Sequence, residues 1–447
     1  MQVKLAVIAD DLTGANDTGV QFAKQGLNTT VLFSDTELQA SHLSEDVIVL
    51  NSDSRALNSG KAYEVVYNVA AQLKKLNVSK VFKKIDSTMR GNVGQEIEAV
   101  MDVFHYKTSF IVPAFPKSNR ITKNGNHYVN GVLLAESEIA LDPACPVKES
   151  YLPKLLQGQS KRPVELISMS DVEKGKSHLS KKMNEMTSGK TSKIIIVDAT
   201  TDEELKTIVE AAQILNENIL WVGSAGIAYH LFNTGLSEEQ ISQKHVGNRL
   251  PVLVVAGSVN SIIERQIQDM KETYNINEIV ISPEEFFYEG RRKLEIERVV
   301  KAGHDLLEKG DLVVTTNRRR EKINTVKDLQ RQLGLSNFEV GNTIAQAMAE
   351  IAGQLIESSN ICGTVLTGGD IAGATCKVLN GEGVRVIGEV EAGIPYGKLF
   401  GGSFNGIPLV TKAGAFGTEQ ALSKALQTIT EINAHIRNCD WRYTNIS

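Results

Sequence analysis

The chain has 447 residues, 42% of them hydrophobic and 23% charged, with a formal net charge of -5 and a pI near 6.0. That length exceeds what one hydrophobic core spans and predicts two or more domains. The composition is that of an ordinary soluble globular protein, and the acidic balance argues against a nucleic-acid surface as the main partner.

Four cysteines (Cys145, Cys362, Cys376 and Cys439) lie far apart with no C-x-x-C pair, so zinc and redox motifs have little support. They predict reduced thiols in a cytoplasmic protein. The opening residues are expected to run directly into a strand, with no signal peptide before it. No apolar run approaches the ~20 residues of a membrane helix.

The first predicted strand, LAVIA at 5–9, stops at two adjacent aspartates, Asp10 and Asp11. In the turn after it, Gly14 and Gly19 have the spacing of a phosphate-binding P-loop. Val20 and Gln21 stand where that loop needs Lys and then Ser or Thr, which excludes it. Two carboxylates at one strand tip repel each other and cost stability unless a cation or hydroxyl donors occupy the site. The competing reading is turn chemistry, with Asp11 capping the helix near Thr13 or Asp17 capping the next turn.

Val/Ile-rich runs recur at 29–33, 47–51, 80–86, 109–114, 193–199 and 219–224, with helical stretches between them. Runs apolar on both faces predict parallel strands buried between helix layers. In open α/β sheets ligands bind beyond the carboxyl ends of the strands, so the residues just after each run carry the chemistry. NSDSRAL (51–57) brings Arg55 to that edge. KKIDSTMRGN (83–92) is the densest cluster: a period of two puts Lys84 and Asp86 on one strand face, Ser87, Thr88 and Arg90 come next in the loop, and Gly91 lets it turn. PAFPKSNR (113–120) carries Lys117 and Arg120 on a proline-stiffened loop. Arg and Lys suit a carboxylate, Arg with a planar two-pronged fork, while Asp and Ser suit sugar hydroxyls. The set fits a small polyhydroxy acid better than a nucleotide base; a surface ion-pair network is the alternative.

A polar, irregular segment, SEEQISQKHVGNRL (237–250), marks a boundary near 240–250 and gives two domains, 1–245 and 250–447. Further strands are predicted at 251–257, 311–316, 363–369, 385–390 and 408–414. In the helical stretch 341–360, Ile344, Met348, Ile351 and Leu355 share one face, with Asn342 or Thr343 as the cap. The basic runs at 291–293 and 318–320 read as solvated faces. The second half is glycine-rich at its strand tips: AGSVN (256–260), LTGGD (366–370), GKLFGG (397–402) and TKAGAFG (411–417). Glycine lets backbone N–H groups approach phosphate, and helix N-termini add a favourable dipole. Asp370 is placed to hold a Mg²⁺ ion that bridges phosphates. No Walker A motif, G-x-G-x-x-G, H-E-x-x-H or G-x-S-x-G occurs.

AVIADDLTGANDTG, NSDSRAL, KKIDSTMRGN and PAFPKSNR, together with AGSVN, LTGGD and VTKAGAFG, resemble the four-carbon sugar acid kinases in the same order over nearly the whole chain. The wording is most similar to the D-threonate kinase branch. The resemblance implies an α/β protein of two domains, each a mostly parallel sheet flanked by helices, with the active site in the interdomain cleft. The N-terminal domain would bind the sugar acid and the C-terminal domain the nucleotide. The implied reaction is ATP- and Mg²⁺-dependent phosphorylation of the 4-hydroxyl of D-threonate, or alternatively of D-erythronate or a 3-oxo-tetronate.

The resemblance also implies residue roles. Asp11, Arg55, Lys84, Ile85, Asp86 and Ser87 fall on the substrate, with Asp10 either a ligand beside Asp11 or a holder of the turn, and Ser258, Thr367, Gly368, Gly369, Asp370, Lys412, Gly414 and Gly417 fall on ATP. Asp86 or Asp11 would orient the reacting hydroxyl or take its proton, with Arg55, Lys84 and Arg90 compensating charge and Asp370 on the metal side. One departure is Asn119, where the family carries Gly before its Arg; Asn tolerates left-handed backbone, so the turn is expected to survive. A non-catalytic sugar-acid sensor is the alternative of another class, and the intact glycine loops count against it. The expected partners are small molecules, with neither nucleic acid nor membrane, and a homo-oligomer is compatible with the sequence.

Overall fold

Eight strands of the first half assemble into one parallel sheet whose order places the first strand in the interior. The computed structural model describes residues 3–34, 36–142, 144–189, 191–215, 219–232, 249–257, 260–317, 320–414 and 416–434. It divides into two units, Met1–Glu238 and Glu239–Ser447. Most of the segment read as the boundary, together with Ser258 and Cys439, lies outside the described residues.

The first unit runs β1 (Leu5–Ala9), α1 (Leu12–Ala23), β2 (Thr29–Leu32), β3 (Val47–Asn51), α2 (Ser59–Lys75), β4 (Val81–Lys84), α3 (Val93–Phe104) and β5 (Thr108–Val112). Three short strands come next, β6 (Arg120–Lys123), β7 (Asn126–Val129) and β8 (Val132–Leu133), then α4 (Leu152–Gln157), β9 (Val164–Ile167), α5 (Met169–Val172) and α6 (Lys176–Thr187). β10 (Lys193–Val197), α7 (Asp202–Ala212), β11 (Ile219–Gly223) and α8 (Ala225–His230) complete it. The parallel order is β2-β3-β1-β4-β11-β5-β10-β9, and β6-β7-β8 form a separate antiparallel sheet. β1, β3 and β5 are buried along their whole length, as a strand covered on both faces must be. Because β1 lies between β3 and β4, the chain crosses the sheet after β3, and the residues after β1, β3 and β4 meet at that switch point.

The second unit runs β12 (Val252–Ala256), α9 (Ser261–Thr273), β13 (Asn277–Ile281), α10 (Glu289–Leu307), β14 (Leu312–Thr316), α11 (Arg320–Leu333) and α12 (Asn337–Ser358). It continues with β15 (Gly363–Thr367), α13 (Gly369–Val378), β16 (Gly383–Glu391), β17 (Ile394–Phe400), β18 (Pro408–Lys412) and α14 (Ala421–Ala434). The order within this unit is β13-β14-β12-β15-β18-β17-β16. β13, β14, β12, β15 and β18 are parallel, while β17 is antiparallel to both β16 and β18. Ile263, Ile267 and Met270 of α9 and Leu422, Leu426 and Ile429 of α14 share one core with Val252 and Val254. Burying each such aliphatic side chain is worth about 1.5–3 kcal/mol.

Three local readings of the second half change. GKLFGG is a strand-tip turn only at its end: Gly401 and Gly402 turn left-handed just past β17, but Gly397 lies inside β17, where a Cβ would meet the Arg385 carbonyl oxygen at 2.2 Å, so this glycine serves close strand pairing. The 385–390 run belongs to β16, which pairs antiparallel and is not buried on both faces. The long helix starts at Asn337 rather than near Asn342: Ser336 accepts from the Glu339 N–H while Glu339 accepts from Ser336, a reciprocal capping box. Thr343 sits within this helix and donates back to the Glu339 carbonyl at 2.8 Å.

Candidate active site

At the tip of β1 the two aspartates are held by one cation. Arg55 donates Nε to Asp10 Oδ2 at 2.8 Å and Nη2 to Asp10 Oδ1 at 3.1 Å; it also donates Nη1 to Asp11 Oδ2 at 2.7 Å and Nη2 to Asp11 Oδ1 at 2.6 Å. The repulsion between the carboxylates is therefore answered from within the chain, through a guanidinium delivered by the loop after β3. Burial works against the Arg55 charge, but Asp10, Asp11 and Asp86 outweigh it and raise its pKa. Both readings of Asp11 hold together, since its Oδ1 also accepts the Gly14 N–H at 2.8 Å as the cap of α1. Burial, then the neighbouring Asp10, raise the Asp11 pKa. Four of the five guanidinium N–H groups are spent on these bonds, so Arg55 offers a ligand one N–H, not the expected two-pronged fork.

Gly14 takes its meaning from the same contacts. A Cβ there would lie 2.6 Å from Asp11 Oδ1 and 2.8 Å from Lys84 Nζ. The glycine that resembled part of a phosphate loop lets an aspartate and a lysine close over a helix start.

β4 ends at Lys84, so the alternation argument that put Lys84 and Asp86 on one strand face does not extend to Asp86. Lys83 turns into the core and forms an ion pair with Glu96 at 2.8 Å, both side chains nearly fully buried. Lys84 Nζ donates to the Ile85 carbonyl at 2.8 Å. The Ile85 side chain is buried, and its N–H donates to the Gly223 carbonyl. Asp86 is buried in a network: its Oδ2 accepts from Thr88 Oγ1 at 2.5 Å and from Arg90 Nε at 2.6 Å, and Arg90 Nη1 reaches Asp142 at 3.0 Å. Burial pushes the Asp86 carboxyl up, but Arg55, Arg90 and Thr88 together hold it well below the usual range, so it stays ionised. Its Oδ1 accepts no hydrogen bond from any described residue. The predicted turn at Asn119 survives, left-handed at φ 56°. A cavity of about 450 Å³ opens beside Arg55, between Met89, Gly91 and Asn92 on one side and Cys145 and Lys148 on the other.

Three residues of this frame carried no sequence motif. Glu96, on α3, accepts from Ser54 as well as Lys83. Asp142 caps the Ala144 and Cys145 N–H groups while pairing with Arg90. His127, on β7, is fully buried; its Nε2–H donates to the Ser87 carbonyl at 2.8 Å, and its Nδ1 accepts from Thr122 Oγ1 at 3.0 Å. Burial brings its pKa down to about 4, so the ring is neutral and fixed as the Nε2–H tautomer by these two partners. A charged residue in an otherwise apolar helix stretch, as in QEIEAVM, was the one signal that could have found Glu96.

In the second unit the expected nucleotide residues gather at adjacent strand ends. β15 lies between β12 and β18, with Thr367 paired to Ala256 on one side and Lys412 on the other. The Gly368 N–H donates to the Lys412 carbonyl at 2.8 Å, tying the two glycine-rich turns together. Gly368, at φ 101°, is the N-cap of α13 and has no side chain to satisfy its first turn. The Thr367 hydroxyl at the head of this turn is fully buried and has no partner among the described residues. An uncapped ten-residue helix beginning beside an orphaned hydroxyl fits an anionic oxygen ligand. Asp370 is exposed in the first turn of that helix. No group of three or more His, Cys, Asp or Glu side chains among the described residues could cage a metal by itself. One carboxylate suits Mg²⁺ arriving with phosphates, since that ion keeps waters and is commonly held by one or two carboxylates. Lys412 is buried and points beneath its loop, donating to the carbonyls of Ala413, Gly414 and Phe416 at 3.1, 3.2 and 2.9 Å; burial lowers its pKa to about 8. Gln266, on α9, reaches the same loop and likewise carried no sequence motif.

No helix of the described residues is long and apolar enough to cross a membrane. Residues 5–231 match the family described as a sugar-binding N-terminal domain, and residues 253–422 the family described as a nucleotide-binding C-terminal domain. The chain is 35% identical to the D-threonate kinase of Salmonella typhimurium over 96% of this chain and 99% of that one. It is 31% identical to the D-erythronate kinase of Heliobacterium modesticaldum over 93% and 95%. A crystal structure of a Haemophilus influenzae protein superposes with a TM-score of 0.78 at 24% identity, covering 95% of this chain and 100% of that one, a likeness of fold. A sugar-binding domain with a clamped aspartate pair, joined to a nucleotide-binding domain with uncapped glycine turns, places this chain in the four-carbon sugar acid kinase family.

Proposed function

We propose that the chain transfers the γ-phosphoryl group of ATP to the terminal hydroxyl of D-threonate, giving 4-phospho-D-threonate and ADP. The observation that carries the reading is the state of Asp86: buried, ionised, with Oδ2 held by Thr88 and Arg90 and Oδ1 open. Every oxygen of Asp10 and Asp11 already accepts from Arg55, and Asp11 Oδ1 also from the Gly14 N–H, whereas Asp86 Oδ1 accepts from no described residue, which favours Asp86 as the group that faces the reacting hydroxyl. A carboxylate held so far down is a weak base. Phosphoryl transfer through a loose transition state asks mainly for positioning, so Asp86 orients the hydroxyl and takes its proton late. Lys84, the remaining Arg55 N–H and the Ser87 hydroxyl supply donors for the acid's carboxylate and other hydroxyls. Thr367, the first turn of α13 and the Gly414 and Gly417 N–H groups would hold the phosphates, with Asp370 on a Mg²⁺ ion that neutralises their charge.

D-threonate is favoured by the 35% identity to one D-threonate kinase, and D-erythronate is the next reading, since a D-erythronate kinase at 31% stands above two further D-threonate kinases at 27% and 29%. The test is ADP release with Mg²⁺–ATP over D-threonate, D-erythronate, both L-isomers and 3-oxo-tetronates. The expected result is the highest kcat/KM on D-threonate. No turnover on any four-carbon acid would overturn the reading.

A further inference from the structure

Two buried side chains of the second unit have tasks that neither the fold nor ligand contact accounts for. Lys412, only 2% exposed, has no carboxylate within ion-pair distance among the described residues and spends its ammonium on the carbonyls of Ala413, Gly414 and Phe416. Gln266, fully buried on α9, points Nε2 at the carbonyls of Phe416, Gly417 and Thr418, at 3.1, 3.4 and 2.8 Å. Its Oε1 is buried without a partner, a cost to stability that the side chain accepts in order to place Nε2. Between them the two residues draw the carbonyls of Ala413, Gly414, Phe416, Gly417 and Thr418 toward the interior.

In a trans peptide the C=O and N–H of one unit point in opposite directions. With the Ala413 and Phe416 carbonyls turned inward, the N–H groups of Gly414 and Gly417 point away from Lys412 and Gln266. Neither donates to any described residue. The next N–H of this kind, from Thr418 opposite the inward Gly417 carbonyl, meets a carboxylate, Glu391 Oε2 at 2.8 Å. That bond shows what chemistry the outer side of the loop takes: an anionic oxygen. Backbone N–H groups presented this way on one side of a loop suit a phosphate oxygen.

We propose that Lys412 and Gln266 are positioning residues that act from beneath the turn after β18, holding the carbonyls of Ala413, Gly414, Phe416, Gly417 and Thr418 inward so that the Gly414 and Gly417 N–H groups face the nucleotide's phosphates. The proposal rests on the nucleotide reading of the second unit and assigns no ligand contact to either side chain. Lys412 adds a positive charge directly behind the donors, and Gln266 couples the loop to α9.

The experiment uses the full chain with Lys412→Met and Gln266→Leu, varying ATP and D-threonate separately. Gln266→Leu conserves volume and carries the test where Lys412→Met lowers folding yield; circular dichroism melts establish which variants are folded. The expected result is a KM for ATP raised tenfold or more, with the KM for the sugar acid within twofold of wild type and kcat largely kept at saturating ATP. A KM for ATP within twofold of wild type in a folded variant would overturn the proposal, as would parallel rises in both KM values, which mean a general loss of structure. Wild-type protein that releases no ADP with any acid would overturn the nucleotide reading and this proposal with it. Normal wild-type turnover beside ATP-indifferent variants overturns the proposal alone.

Discussion

Replacing Arg55 with methionine tests the physical basis of the first-unit site. The substitution keeps much of the apolar stem and removes four charge-assisted hydrogen bonds to Asp10 and Asp11. What remains is a pair of adjacent carboxylates, with side chains 3% and 23% exposed, and no guanidinium between them. Removing one partner of a buried ion pair costs about 3–5 kcal/mol, and the partial exposure of Asp11 places this case at about 3 kcal/mol. For a folding unit of this size each kcal/mol moves Tm by about 2–4 °C, so Arg55→Met should melt about 6–12 °C below wild type at pH 7. The deficit must also depend on pH with a definite sign. Asp11 already sits above its ordinary 3.8 in the folded chain, because of burial and then Asp10. Without Arg55 it rises further. A carboxyl whose folded pKa exceeds its unfolded pKa binds more protons when folded, so the variant loses stability as pH rises through that range and regains it as pH falls. The gap to wild type should therefore narrow between pH 7 and about pH 4. Scanning calorimetry across that range reads both effects. A variant melting within about 1 °C of wild type at pH 7, or a gap that stays constant down to about pH 4, would refute the clamp as the answer to the aspartate repulsion.

Gly14→Ala places a Cβ 2.6 Å from Asp11 Oδ1 and 2.8 Å from Lys84 Nζ, so it should raise the KM for the sugar acid at least tenfold while leaving that for ATP unchanged in steady-state kinetics. Asp86→Asn keeps shape and removes the charge proposed to orient the hydroxyl; it should melt below wild type because Arg90 loses its carboxylate partner, and in the folded variant kcat should fall by about 10²-fold or more, while a loss under tenfold would remove Asp86 from that role. His127 is neutral in the fold, with a pKa of about 4 against an ordinary 6.5, because it is buried. Its lowered folded pKa means a contribution present above about pH 6.5 and lost as pH falls toward 4, up to about 3 kcal/mol. His127→Gln should melt with a visibly flatter acid limb between those pH values, and an unchanged limb would show that other groups set the acid sensitivity.

The parts legible in the sequence were those that a local pattern encodes. LAVIA, VIVLN and TSFIV are apolar on both faces, and a strand buried on both faces leaves few other solutions. Because Asp11, Arg55 and Lys84 each stand at or just past the end of a strand, a rule about strand ends brought them to one edge before any geometry was known. The partners of those residues obey no such rule. Glu96, His127 and Asp142 reach the site from a helix, a hairpin and a loop, through contacts set by tertiary register. GKLFGG shows the reverse error. Its glycines looked like a phosphate loop, but the spacing of glycines does not distinguish a turn from a strand that another strand must approach closely.

The most consequential of the invisible pairings is the one that assigns each cation. Read by composition, the strand tips of the first unit look basic enough to draw in an acid. With the contacts known, Arg55 belongs to Asp10 and Asp11, Arg90 to Asp86 and Asp142, and Lys83 to Glu96. The fourth cation of this edge, Lys84, has a neutral partner, the Ile85 carbonyl. Counting Asp10, Asp11, Asp86 and Asp142 against Arg55, Lys84 and Arg90 leaves four negative charges facing three positive ones. Such a site cannot recognise an anionic sugar acid through a broad positive field. On the proposed reading it does so through a few directed donors whose orientation the ion pairs fix, Lys84 among them. Asp10 and Asp11, in this arrangement, aim the Arg55 cation, while Asp86 keeps one oxygen open.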